Sequence, residues 1–361
     1  MRCKEKGVGI VKKAGVLILA LCLLLSGCGY WSGGSYSSVK PHTDSANQGE
    51  KKTIPVYKYE DLLEALSSLV ESGAESGIVS MQYGSGNEHA PELEAAIQEV
   101  QSTNPFAVYA VEHISYAFEE GKNRCIVRIS YLPDREQTNE ILRVQSLDEV
   151  RETIGAQLDA CGTGVVLYLD TQEQVDYAGF VEAYSLENPQ TVMEMPAVTV
   201  KCYPEQGQQQ IVALEFTYQT SQAELRSLQN KVEPVFSAAQ QYVTGNWSEA
   251  EKSLRLYTFL MTRYEYDIQT SITPAYSLLL YGKGDCKAFA MVYGEMCRQA
   301  GIDCRVVVGT YKGNPWVWNA VRLEGKIYYL DLLQCDKNGV FALYEADQMK
   351  GYTWERSAYL T

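Results

Sequence analysis

The chain has 361 residues, 46% apolar and 21% charged, with 31 Lys and Arg against 45 Asp and Glu. That length allows two or three domains of roughly 100–200 residues, and the composition is that of a folded chain, with disorder confined to short stretches. The net charge of −14 leaves no basic excess of the kind that nucleic-acid recognition needs, so no nucleic-acid partner is expected.

The first element is not part of the fold. Arg2, Lys4, Lys6, Lys12 and Lys13 precede an apolar run from Ala14 to Leu25. That run is too short for a stable membrane span and suits the central region of a secretory signal. It ends in Leu25-Ser26-Gly27-Cys28, which resembles the lipobox of bacterial lipoproteins. The resemblance implies that residues 1–27 are removed as a signal peptide and that Cys28 carries the acyl chains of a membrane anchor. The expected localisation is extracytoplasmic, on the membrane surface. Cleavage there leaves 26 basic against 44 acidic residues, a net charge of −18. An anionic membrane would repel such a chain, so attachment is expected from the lipid on Cys28 and not from a basic patch. Residues 28–54, rich in Gly and Ser with scattered charge, are expected to be a flexible tether.

A pattern then occurs twice. In residues 55–144, Leu62, Leu63, Leu66, Leu69 and Val70 recur at helical spacing and lead into a strand from Ile78. A helix over ELEAAIQEVQSTNP follows, then two strands, AVYAVEHISYAF and RCIVRISYL, around the polar turn EEGKN. In residues 145–220, SLDEVRETIGAQLDACGTGVVLYL predicts helix then strand, DYAGFVEAYSLENP a helix, and AVTVKCY and QIVALEFTYQT two strands. Gly77 aligns with Gly164, Asn104-Pro105 with Asn188-Pro189, and Tyr131 with Tyr218. Two copies of one α-β-α-β-β module are therefore expected. No polar constellation repeats between them, so a spacer or protein-contact role is expected for both.

Residues 221–361 are expected to form a third unit. Leu225, Leu228, Val232, Val235 and Phe236 lie on one helical face that stops at Gly245, and Ser248 with Glu251 has the spacing of a capping box at the start of the next helix. Gly282-Lys283-Gly284-Asp285 predicts a turn, and Phe289, Val292, Tyr293, Met296 and Ala300 predict a helix that begins at Cys286 and stops at Gly301. At a helix N-terminus the dipole and free amides favour thiolate, so Cys286 is expected to have a lowered pKa. Cys297 and Cys304 read as core thiols or a disulfide. Seven cysteines follow Cys28, an odd number, so at least one is left unpaired within the chain. No CxxC pair or Cys/His cluster occurs, and His42, His89 and His113, the only histidines, all lie in the first third. No metal and no cofactor are expected.

Strand-like runs follow at CRVVVGTY, WVWNAVRLEG and KIYYLDLL. A cysteine on a helix N-terminus followed by an antiparallel sheet is the layout of papain-like enzymes. The pieces YEYD, GKGDCKAFAMVYGEMCRQAGIDCRVVVGT, WNAVRLEGKIYYLD and YEADQMKGYTWE together make residues from about Trp247 to Thr361 resemble a transglutaminase-like domain. The fold class expected is α+β: two repeated modules followed by a transglutaminase-like, papain-like domain.

That resemblance implies a Cys-His-Asp triad that forms a thioester with an amide and passes the acyl group to an amine or to water. It places the nucleophile at Cys286 and the orienting carboxylate at Asp331. The family's histidine falls just before a Trp-Asn pair, here Trp318-Asn319, and that position holds Trp316. Indole has no basic nitrogen, so it can neither accept the thiol proton nor protonate a leaving amine. After Asp331 the chain reads Leu332-Leu333-Gln334, where the family often has Thr and Trp. Three uses stay open: a binding or scaffolding module for a peptide or a cell-wall amine or amide group; a cysteine protease, amidase or acyltransferase whose base comes from His42, His89, His113 or a partner; and an ectodomain in which Cys286 is inert. The first is the reading favoured by the residues.

Overall fold

A computed structural model describes residues 53–84, 89–135, 137–170, 175–268 and 274–359, and they fall within one compact unit. The expected signal segment, Cys28, His42 and nearly all of the expected tether lie outside the described residues. The fold is a mixed α+β one, with ten helices and four sheets among the described residues.

The first sheet takes its strands from β1 (Thr53–Val56), β2 (Ser76–Met81), β3 (Val111–Phe118) and β4 (Arg124–Tyr131), in the order β1-β2-β4-β3. β1 runs parallel to β2, and the other pairs are antiparallel. Helices α1 (Tyr59–Glu71) and α2 (His89–Thr103) contribute to its core, where Leu62, Leu66 and Val70 join Val79, Met81 and Val127. Two features depart from the sequence reading. β1 begins at Thr53, inside the segment expected as tether. The run expected as strand from Ala107 starts as a short helix, α3 (Pro105–Ala110). Its cause is local: the Asn104 side chain accepts hydrogen bonds from the Phe106 and Ala107 amides, and Pro105 supplies the preset φ of a first helical residue.

The second sheet comprises β5 (Leu142–Val144), β6 (Gly164–Asp170), β7 (Ala197–Tyr203) and β8 (Gln209–Thr217), in the order β5-β6-β8-β7. Again the first pair is parallel and the others antiparallel. Helices α4 (Leu147–Asp159) and α5 (Tyr177–Glu187) connect its strands. As in the first sheet, a short edge strand precedes the first helix, and neither edge strand was expected. At three or four residues each, β1 and β5 are too short to carry a period. β5 belongs to this sheet although it starts at Leu142, before the expected boundary at 144.

Helices α6 (Gln222–Tyr242) and α7 (Glu249–Met261) open the C-terminal part, and the Ser248–Glu251 capping box is formed at the start of α7. After β9 (Glu265–Tyr266), α8 (Pro274–Tyr281) and β10 (Lys283–Gly284) comes α9 (Cys286–Gln299). An antiparallel sheet follows from β11 (Cys304–Tyr311), β12 (Asn314–Leu323), β13 (Lys326–Leu330) and β14 (Tyr352–Thr353), in the order β13-β12-β11-β14, with α10 (Leu332–Asn338) after β13. Every residue of α9 from Ala288 to Gly294 is buried, together with Met296 and Cys297. A helix covered on nearly all sides is the central element of its core, and here Phe236, Leu256 and Leu260 pack in the same cluster as Phe289, Tyr293 and Met296. Tyr293 and Ser253 share a buried hydroxyl–hydroxyl hydrogen bond of 2.6 Å that ties α9 to α7. Cys297 and Cys304 are buried free thiols hydrogen-bonded to each other. On the other face of the sheet, Gly309 lets β14 close in: a Cβ there would collide with the Thr353 carbonyl oxygen and the Trp318 ring.

Candidate functional site

Cys286 is the first residue of α9, and Asp285 is its cap, with the carboxylate accepting the Ala288 amide at 2.9 Å. β10 pairs in parallel with β9 just before the cap, so the turn into the helix is fixed by Lys283↔Glu265 and Gly284↔Tyr266. β13 pairs with β12 only from Asn319 to Leu323. Val317 therefore lies beyond the paired stretch, and its backbone hydrogen-bonds the Cys286 sulfur. Asn319, buried two residues on, donates from Nδ2 to the Ala290 carbonyl at 2.8 Å and holds β12 against α9.

The structure corrects the expected thiol chemistry. Burial, the largest cause, pushes the Cys286 thiol up to about 11, and the nearby Asp285 and Asp331 carboxylates push the same way. Hydrogen bonds from the backbone of Val317 and Lys287 oppose this and do not prevail. A helix N-terminus favours thiolate only when its amides are free to face the sulfur, and here the cap's own carboxylate occupies one of them.

Asp331 is buried between β13 and α10, at 3% exposure. The run read as strand through Leu333 in fact stops at Leu330, because Asp331 caps α10: its Oδ1 accepts the Leu333 and Gln334 amides, both at 3.1 Å. Its Oδ2 accepts the Trp316 indole Nε1–H at 2.6 Å and the Tyr352 hydroxyl at 2.8 Å. Trp316 thus meets this carboxylate through its ring N–H. It offers nothing on its other side, because indole is a donor only. With four donors on two oxygens, Asp331 has no lone pair to spare as a base.

Two residues of the site lie inside pieces quoted for the resemblance, YEADQMKGYTWE and YEYD, but were given no role there. Tyr352 arrives from β14, stacks on Tyr311 at 4.4 Å and meets Trp318 edge-on. Its hydroxyl pKa is strongly raised by burial and by Asp331, so it stays a donor. Tyr266, half exposed on β9 and paired with Gly284 two residues before Cys286, has its pKa raised by burial and then by Cys286 and the adjacent acids. The histidines stand elsewhere: His89 is buried beside Tyr83 and Glu92, and His113 is exposed on β3. Among the described residues neither meets the groups around Cys286.

A helix-borne cysteine, a strand residue bonded to a buried carboxylate and an antiparallel sheet behind them define a papain-like arrangement. Residues 237–342 match the family model of the transglutaminase-like superfamily, and the C-terminal part of the chain is a transglutaminase-like domain. No curated protein matches the chain. Among solved structures, a TGase is 12% identical with a TM-score of 0.27, covering 47% of this chain and 50% of its own. A candidate cysteine protease from Cytophaga hutchinsonii is 12% identical with a TM-score of 0.26, over 44% of this chain and 70% of its own. A candidate protease from Parabacteroides distasonis is 11% identical with a TM-score of 0.24, over 70% of this chain and 39% of its own. This chain spans about half the length of the first of these, and at such scores the likenesses carry no functional inference.

Proposed function

We propose that the protein is an extracytoplasmic, lipid-anchored binding or scaffolding protein, whose transglutaminase-like domain holds a peptide or a cell-wall amine or amide group without turning it over. The observation that carries this reading is the Trp316–Asp331 hydrogen bond: on this reading the residue at the base position cannot take a proton. The raised thiol of Cys286 supports it further, since a thiol near 11 is almost entirely protonated at neutral pH. Half-exposed Tyr266 would offer a hydroxyl to a bound amide.

The test is thiol reactivity against pH. Because the pKa is raised, the thiolate fraction is small at neutral pH and grows with alkalinity. Iodoacetamide should therefore label folded Cys286 slowly at pH 6, with a rate that rises about tenfold per pH unit up to about pH 10. A fast rate that levels off below pH 7, together with amine release from a peptide amide, would establish a working cysteine enzyme in its place.

The anchor is proposed from Leu25-Ser26-Gly27-Cys28 and is checked separately. Metabolic labelling with a fatty acid should mark the wild-type protein and leave Cys28→Ser unlabelled. Uptake of label by Cys28→Ser would end this part of the proposal.

A further inference from the structure

A pocket of about 260 Å³ that Cys286 does not line lies where α8 and α9 meet the segment after α5. Leu186, Val192, Met193 and Met291 supply apolar wall, and Glu194 and Lys287 are the two charged groups that line it. Glu194 is 5% exposed. Its Oε1 accepts the Gln219 amide at 2.6 Å and its Oε2 the Thr220 amide at 3.1 Å, which leaves acceptor capacity on both oxygens. Among the described residues it has no cationic partner. Lys287, half-buried at the start of α9, likewise has no acidic partner among the described residues. An unpaired buried carboxylate is costly and draws in a cation, while a lysine beside an apolar pocket draws in an anion.

We infer that this pocket binds a free α-amino acid with an apolar side chain, its ammonium on Glu194, its carboxylate on Lys287 and its side chain among the methionines. Each charge of the zwitterion meets its opposite, and the four apolar residues match the remaining atoms. The volume lies just below the range of about 300–1,000 Å³ typical of larger ligands and suits a molecule of this size. Adjustable methionine side chains would accept leucine or methionine alike. The inference stands whether or not Cys286 reacts, since Lys287 acts here through its ammonium and not through the thiol beside it.

Calorimetric titration of the intact protein with L-leucine and L-methionine tests it. Saturable binding is expected. It should weaken about tenfold or more for 3-methylbutylamine, which lacks the carboxylate, and for 4-methylpentanoate, which lacks the ammonium, since hydrogen bonds to charged groups are the stronger kind. Lys287→Met, a change on a half-buried side chain, should weaken leucine by a similar factor, as should Glu194→Gln. Absence of saturable heat at about 10 mM leucine would overturn the inference, as would equal binding of all three ligands or unchanged affinity in Lys287→Met. Tighter binding of a leucyl dipeptide than of leucine would overturn the free amino acid as occupant.

Discussion

Trp316→His is expected to turn Cys286 into a reactive thiol. An imidazole at 316 can donate to Asp331 as the indole does at 2.6 Å, and its second nitrogen is then an acceptor able to take the thiol proton. A Cys paired with His⁺ falls below the ordinary thiol range, against the value of about 11 that burial and the two carboxylates give it now. A fall to near 7 would raise the thiolate fraction at neutral pH by nearly four orders of magnitude. Part of that gain is lost because a weaker base is a weaker nucleophile, so the net rise in iodoacetamide rate at pH 7 should be on the order of a hundredfold. Amine release from a peptide amide should appear in the same variant if the rest of the site is intact. An unchanged alkylation rate in a folded Trp316→His protein would show that burial of the thiol, and not the residue at 316, sets its reactivity.

The second large effect is on stability. Asp331→Ala removes the acceptor of four hydrogen bonds at a buried position, leaving the Trp316 Nε1–H, the Tyr352 hydroxyl and the Leu333 and Gln334 amides without it. Each stranded donor costs about 1–3 kcal/mol unless water reaches it. A loss of about 3–5 kcal/mol is expected, as for breaking other buried charged networks. Asp331→Asn keeps one acceptor oxygen, which can still cap α10, and should cost less than Ala. Urea unfolding reads both, and the midpoint should shift with the slope unchanged. A loss below about 1 kcal/mol in the Ala variant would mean that solvent already shares these donors.

Much of this architecture was legible in residue order. The periodic stretches of α1, α4, α6, α7 and α9 carry long apolar faces, and the Ser248–Glu251 spacing located a cap that is formed. Trp316 and Asp331 were singled out separately in residue order, and the structure joins them by a hydrogen bond. What escaped was short or non-local. β1 and β5 are too brief for a pattern, and the helix at Pro105–Ala110 owes its existence to a cap whose sign, Asn104-Pro105, was taken only as a point of alignment. The lowered pKa expected for Cys286 failed because helix polarity is a local property, whereas burial and the approach of Asp331 from the end of β13 depend on the whole domain. The role of Tyr352, which lies within YEADQMKGYTWE, escaped for the same reason, since 21 residues separate it from the carboxylate it touches.

Asp331 has two employments: with one oxygen it begins α10, and with the other it anchors Trp316 and Tyr352. The first needs no chemistry to be worth keeping. Starting a helix and holding two ring-borne donors gives this aspartate a structural role whatever the chain does or does not catalyse. The presence of this carboxylate is therefore by itself no sign of activity, because the start of α10 already accounts for it.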